Sequence, residues 1–512
     1  MARVTKRLAV LAVVAAVALG LAPAPAQAAG KSFTFTGRGW GHGIGMSQWG
    51  AKGFADMGHA ASWILAWFYQ KTSLGKLSNP TNIRVGLLQE QSQITVTGAG
   101  PFEFYDSAGK LRANAANGQT WTVRPSGTQL SVLNQNGSSV FVSAPPVTVR
   151  WESHHTLLQL PQTGRQYKHG YINVDTNSST GKVRAVLTIP FEQYLYGLGE
   201  MPASWPMEAL KAQAIAARTY ALEKITRLGQ NRSVCNCGVY ASTADQAYVG
   251  ASQEVTNWVA AVDNTRSLEV LYGGKAIQAY YSASDGGIAE NNENVFGGDP
   301  LPYLRARCDP GDFDKGANPQ ANWAVTYDGD QLAQRFQGGG FNTGQVSSVA
   351  FPGPRGISGR LLKVIDSTHG GATATGASGT ARMHGYQFQS LLGLKSTLVL
   401  HNITGSIRLR YDQLNCTPGT PSSEAYQWHD LNGALRGAAQ DFVGGRLFVS
   451  SQTKIVHWVK PQILAKYDDL RRHGTDFGLP TSDEYAITGG RRSDFERGYI
   501  TLVNGVATAV PR

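Results

Sequence analysis

Residues 202 to 229, PASWPMEALKAQAIAARTYALEKITRLG, constrain most strongly what this chain can fold into. Met207, Leu210, Ala214, Ala217 and Ala221 recur at spacings of three and four, which puts them on one stripe of an α-helix. Pro206 near the start and Gly229 just past the end are the residues that helix termini favour. The stripe is mostly alanine, and side chains that small let a helix lie close to whatever covers it. The spacing therefore predicts a helix buried deep against a sheet or a second helix. Lys211 and Arg218, seven apart, share another face. They suit an anionic or sugar-lined groove, or, as the plainer alternative, a solvated basic stripe.

Around this helix the chain reads as β-rich. Its 512 residues include 60 glycines, and 42% hydrophobic with 16% charged residues describes a globular chain, which excludes a largely disordered or coiled-coil protein. From Ile83 to about Ile189, runs such as Gln93–Thr97, Gln129–Leu133 and Val147–Trp151 alternate with turn signals, among them Asn136-Gly137. Phe33–Thr36 is strand-like, and Gln48–Met57 and Ser62–Tyr69 read as two short helices broken near Gly58. The expected class is α+β, a β-rich core around a buried Ala-rich helix, with a small C-terminal module. Gly370–Ala381 reads as a flexible connection and Thr417–Ser423 as a linker. Beyond it, Asp441-Phe442 with Gly445 is echoed by Asp494-Phe495 with Gly498, a weak internal repeat.

Residues 1–28 have a basic start (Arg3, Lys6, Arg7), an apolar run from Leu8 to Leu21, and Ala26-Gln27-Ala28 at the end, the layout of a secretory signal cleaved after Ala28. The expected location is secreted, extracellular or wall-associated. Without the three leader cations the net charge of +11 falls to 11 − 3 = +8, an excess that favours loose association with polyanions such as cell-wall polymers, or serves solubility alone. In an oxidising compartment Cys235, Cys237, Cys308 and Cys416 can form two bridges in any of three pairings; zinc held by Cys235 and Cys237 is the competing reading. Glu200 stands among Leu198, Met201, Pro202 and Trp205 just before the long helix. Poor solvation there would raise its pKa, as a general acid near neutral pH requires. Complementing the helix dipole is the plainer role.

EQYLYGLGEMPASWPMEALKAQAIAARTYAL resembles the signature of the SpoIID/LytB family, the stage II sporulation protein D group. Gln246–Gly250, Tyr281–Gly287, Tyr303-Leu304 and Gly393–Thr397 resemble further family motifs, and GHGIGMSQWGAKG resembles one that usually follows the catalytic segment. Here it comes first, an order similar to a circular permutation. The resemblance implies lytic transglycosylation of peptidoglycan glycan strands, with Glu200 as acid and base and no required cofactor. It further implies His42 and Gln48 in the groove, and Ser282, Ser284, Gly286 and Gly287 in a substrate-facing turn. Residues 29–80, 81–180 and 181–405 would form the SpoIID-like core, with a linker at 406–424. Residues 425–512 resemble LGFP repeats, on Phe477–Glu484, Gly489-Gly490 and Asp494–Gly498, which implies attachment to an envelope polymer. The rival readings are a non-catalytic wall-binding protein that enhances an amidase, and a structural envelope protein. No nucleic-acid partner is expected.

Overall fold

The computed structural model describes residues 31–512 except 153–155, 313–316, 353–354, 364–370, 400–404, 415–416, 420 and 424. The leader sequence and Cys416 thus lie outside the described residues. The fold is α+β. The predicted helix spans Met207–Leu228, with Pro206 at its N-cap and Gly229, at φ +81°, closing it. It is buried on nearly every side from Ala209 to Ile225, beyond the single stripe expected. It packs against the helices Gln48–Asp56, Ala61–Phe68 and Thr256–Asp263 and the strand Leu268–Tyr272. Alanines at 209, 212, 214, 216, 217 and 221 make this enclosure possible, since each keeps its neighbours close to the helix backbone.

Two sheets hold this helical layer. In one, seven strands run in the order Val239–Tyr240, Asn82–Gln91, Val183–Pro190, Tyr171–Thr176, Val147–Trp151, Phe102–Tyr105 and Leu111–Ala115. In the other, six strands run from Ser139–Ser143 to Arg165–Tyr167. Their apolar residues join one core, where Phe104 stacks on Trp121 with centroids 5.2 Å apart. The strand Ser32–Gly37 pairs with the distant Trp323–Asp328. Among the described residues no helix is long and apolar enough to cross a membrane.

Three expectations are corrected. Residues 372–383 are not a flexible connection: Ala372–Gly376 and Gly379–Met383 form an antiparallel hairpin. Its Ala372, Ala374 and Ala381 alternate with Thr and Arg, so the small residues face a core with Phe35 and Phe388. The expected linker at 406–424 contains most of the helix Gly405–Gln413, whose Ile407 and Tyr411 are buried against Phe442. Arg218 does not face a groove. Its side chain is fully buried; Nη2 donates to Glu192 Oε2 at 2.8 Å and to the Val262 carbonyl at 3.1 Å, and Nη1 to the Leu268 carbonyl at 3.3 Å. A charge placed that deep must be paired, and Glu192 pairs it.

The repeated residues fall at equivalent places in two four-stranded antiparallel sheets. Phe442 pairs with Gly445 across one hairpin and Phe495 with Gly498 across the other. Both sheets share a core with the helix Pro461–Arg472, whose Tyr467 stacks on Phe495.

The Arg218 assignment is testable by urea denaturation. Arg218→Ala leaves Glu192 without its buried partner and lowers stability by about 3–5 kcal/mol. Lys211→Ala removes only a surface pair with Glu208 and stays within about 0.5 kcal/mol.

Candidate functional site

Glycine at 39, 41, 43 and 45 lets the segment after the first strand thread against the stretch 280–284. Two positions show why no other residue serves. At Gly45, φ is +68° and a β-carbon would sit 2.1 Å from the Tyr280 carbonyl; at Gly43, φ is +69° and it would meet the Arg360 guanidinium at 2.3 Å. Met46–Ser47 consequently pairs in parallel with Tyr281–Ser282, and Trp40 bridges Ser284. Ser47 then caps the helix Gln48–Asp56 through Gly50 N–H. This brings Gln48, the first residue of that helix, toward the central helix, where its amide donates to Gln213 Oε1 at 3.3 Å.

Glu200 arrives from the other side. Gly197 and Gly199 lie so close to Tyr248 and Val249 that a β-carbon would fall 2.4 Å and 2.8 Å from those side chains. Gly199 N–H donates to the Ala247 carbonyl at 2.8 Å, and Ala247 N–H donates to Glu200 Oε1 at 2.6 Å. The Tyr281 hydroxyl and the Gln48 amide also stand as donors toward the carboxyl and favour its ionised form. Gln246 Nε2 donates in turn to the Tyr281 hydroxyl at 2.8 Å, and Tyr194 hydroxyl donates to Gln246 Oε1 at 3.0 Å. Desolvation is the largest influence on Glu200 and raises its pKa; the three donors oppose it without overcoming it.

The carboxyl lines a cavity of about 480 Å³ together with Trp40, His42, Gln48, Asp245, Tyr281 and Ser282. Trp40 is 52% exposed, and Tyr220, Tyr280 and Phe296 add aromatic wall. His42 is held uncharged at neutral pH: burial, then the Arg360 charge, lower its pKa to about 4. Its Nδ1 accepts from Ile44 N–H at 3.0 Å and the ring hydrogen-bonds the Tyr281 carbonyl, so it fastens backbone as well as lining the cavity. Ser282 Oγ accepts from Gly43 N–H at 3.2 Å.

Glu200, His42, Gln48 and Ser282 are therefore brought together. Ser284, Gly286 and Gly287 are not among the cavity residues. Ser284 is fully buried and donates to Asp312, Gly286 N–H also donates to Asp312, and Gly287 N–H donates to Asp285. Trp205 does not line the cavity; it packs on Trp49, centroids 4.7 Å apart. Of the other carboxylates near these motifs, Glu192 pairs Arg218, Glu208 caps Ala61 N–H, and Glu290 binds Ser358. Sequence reasoning missed Tyr281 and Asp245. Tyr281 lay in a motif that had been singled out, and Asp245 immediately precedes another. Asp245 lines the cavity but is tied to Lys224, to Arg232 at 3.4 Å, and to Tyr220 hydroxyl at 3.0 Å. Cys235 and Cys237 are bonded to each other, against Gly86 of the large sheet. This selects one of the three pairings; zinc at the same two residues would need both sulfurs as free thiolates. Cys308 is also disulfide-bonded.

Residues 179–272, which include Glu200, the central helix and Asp245, match the SpoIID family, described as stage II sporulation protein. The chain is 35% identical over 219 residues to the amidase enhancer of Bacillus subtilis, covering 42% of this chain and 28% of that protein. It is 28% identical over 233 residues to stage II sporulation protein D of the same organism, covering 42% and 60%. An uncharacterized protein of Brachyspira hyodysenteriae is 32% identical over 239 residues, covering 45% and 59%. The matched region thus spans less than two thirds of each of these relatives.

A carboxyl whose folded pKa is raised makes the folded state hold its proton more tightly than the unfolded chain does. Its contribution to stability falls as pH rises from the ordinary carboxyl value toward the raised one. Glu200→Gln is therefore expected to melt higher than wild type at about pH 7.5. The difference should shrink toward zero near pH 4, as calorimetry across that range would record.

Proposed function

We propose that this chain is a secreted peptidoglycan lytic transglycosylase that cleaves the bond between MurNAc and GlcNAc and leaves a 1,6-anhydro-MurNAc end. The observation that carries the reading is a carboxyl of raised pKa lining a cavity, with three donors around it and, among the described residues, no second uncommitted carboxylate beside it. The SpoIID match over residues 179–272 supports it. Glu200, protonated, gives its proton to the bridging oxygen as the bond from C1 to that oxygen breaks. The C6 hydroxyl of the same sugar attacks C1 and its proton passes to Glu200, which returns to its starting form. No water enters, so the second carboxylate that hydrolytic glycosidases use is not needed. Asp245, held between Lys224 and Arg232, contributes fixed charge at the wall.

Gln48 turns its amide hydrogens to Gln213 and Glu200 and leaves its Oε1 to accept from sugar hydroxyls or an acetamido N–H, and His42 presents a neutral ring edge. We include in the proposal the permuted order of the family motifs, supported by the packing of residues 40–47 on 280–284. We also include wall attachment by the C-terminal repeats, supported by their two equivalent hairpins. A second reading, that the protein binds wall polymer and stimulates an amidase, is favoured by the similarity to a protein named amidase enhancer.

The two separate on purified glycan strands analysed by mass spectrometry. Transglycosylation predicts anhydro-muramyl products from wild type alone and a loss of about 10²–10⁴-fold in Glu200→Gln. The amidase reading predicts no product alone and faster release of stem peptides when an amidase is added. On the first reading, Tyr281→Phe removes a donor that lowers the Glu200 pKa, so the alkaline limb of the pH-rate profile moves to higher pH.

A further inference from the structure

Behind the cavity wall, on the far side of Ser282 and Ser47 in the chain, three aspartates meet with no solvent contact. Asp285, Asp309 and Asp312 are each fully buried, and each offers a carboxylate oxygen within 4.8 Å of the other two. A separate observation concerns their hydrogen bonds. Asp312 is satisfied by Ser47 Oγ at 2.7 Å, Ser284 Oγ at 2.8 Å and Gly286 N–H at 3.1 Å. Among the described residues, nothing donates a hydrogen bond to the buried Asp285 Oδ2 and Asp309 Oδ2. Polar atoms so placed are costly unless something fills the gap. Gly50 makes room for one of them, because a β-carbon there would lie 1.9 Å from Asp309 Oδ2.

Among the described residues the charge does not balance either. There the basic group acting on the cluster is Arg360, itself fully buried, and its guanidinium donates to the carbonyls of Gly41 and Asp285 rather than to the carboxylates. Arg360 is also shared with the buried Glu290. Three carboxyl groups buried together, with two of their oxygens unpaired, need either protons or a cation. Asp285 and Asp309 are near enough to share a proton, which is the rival arrangement.

We propose that Asp285, Asp309 and Asp312 bind a divalent cation, and that the cation is calcium. An all-oxygen set favours a hard ion over zinc. Full burial of all three carboxylates suits calcium, which takes many protein oxygens in irregular geometry, better than magnesium, which dehydrates reluctantly and keeps several waters in a near-ideal octahedron. The site joins three pieces of chain that build the cavity: the cap of the Gln48 helix through Ser47, the turn at 284–287, and the segment after Cys308. A bound ion would hold Gln48 in place against Glu200 from behind. This proposal is independent of the reaction assigned to Glu200.

The test uses the full secreted chain, stripped with EDTA and returned to Ca²⁺, Mg²⁺, Mn²⁺ or Zn²⁺ separately. Native mass spectrometry and elemental analysis are expected to find one calcium per chain. The melting temperature should rise on the order of 5 °C at a hundredfold excess over Kd. Asp309→Asn should lose both effects while Asp469→Asn, a surface control, keeps them. Should Asp309→Asn fail to fold, the wild-type stoichiometry and melting shift still decide. No retained ion and a melting temperature the same in EDTA and calcium would overturn the proposal in favour of shared protons. So would calcium binding that survives Asp309→Asn, because the ion would then sit elsewhere. A larger shift with zinc than with calcium would overturn the choice of ion.

Discussion

Burial of the Glu200 carboxyl works against the three groups that donate to it, Ala247 N–H, the Tyr281 hydroxyl and the Gln48 amide, and burial has the larger effect. A carboxylate that accepts several hydrogen bonds in open solvent ionises easily; the same bonds inside a protein only limit how far its pKa rises. The remaining features of the site serve this balance. The close approach of Gly197 and Gly199 to residues 247–249 delivers one donor. The chain from Tyr194 through Gln246 to Tyr281 orients the second. The third comes from Gln48, far earlier in the sequence.

That long-range meeting explains the odd features of the fold. Gln48 and Tyr281 are far apart in the chain, and a glycine-rich segment pressed onto 280–284 brings them together. The central helix supplies the surface on which both sides rest, with Gln213 receiving Gln48 and the Ala217 carbonyl receiving Gln246. Its alanines allow that closeness, and the buried Arg218 to Glu192 pair ties the helix to the segment leading into Glu200. Asp285, Asp309 and Asp312 brace the same junction from behind.

The parts legible in the sequence were those with a local signature. The helix termini at Pro206 and Gly229 were placed within a residue, and the strands between 83 and 189 followed their alternation. Glu200 stood out because apolar residues surround it in sequence, although the aromatic groups found in its cavity are Trp40, Tyr220, Tyr280, Tyr281 and Phe296 and not Trp205. Arg218 was misplaced because spacing assigns a helix face but not what covers it, and this helix is covered on nearly all sides. The hairpin at 372–383 was hidden because alanine and threonine alternate there and a single large apolar residue, Met383 at its last position, marks the inner face. Asp245 gave no local sign, since its role depends on Lys224 and Arg232 from other turns of the chain.

The most direct measurement is the titration of Glu200 itself, by ¹³C NMR of protein carrying carboxyl-labelled glutamate, with Glu200→Gln used to identify the resonance. The account predicts that this carbon titrates above the ordinary glutamate range and moves higher still in Tyr281→Phe. A midpoint at or below that range would mean the three donors outweigh burial, leaving Glu200 ionised with no proton to give.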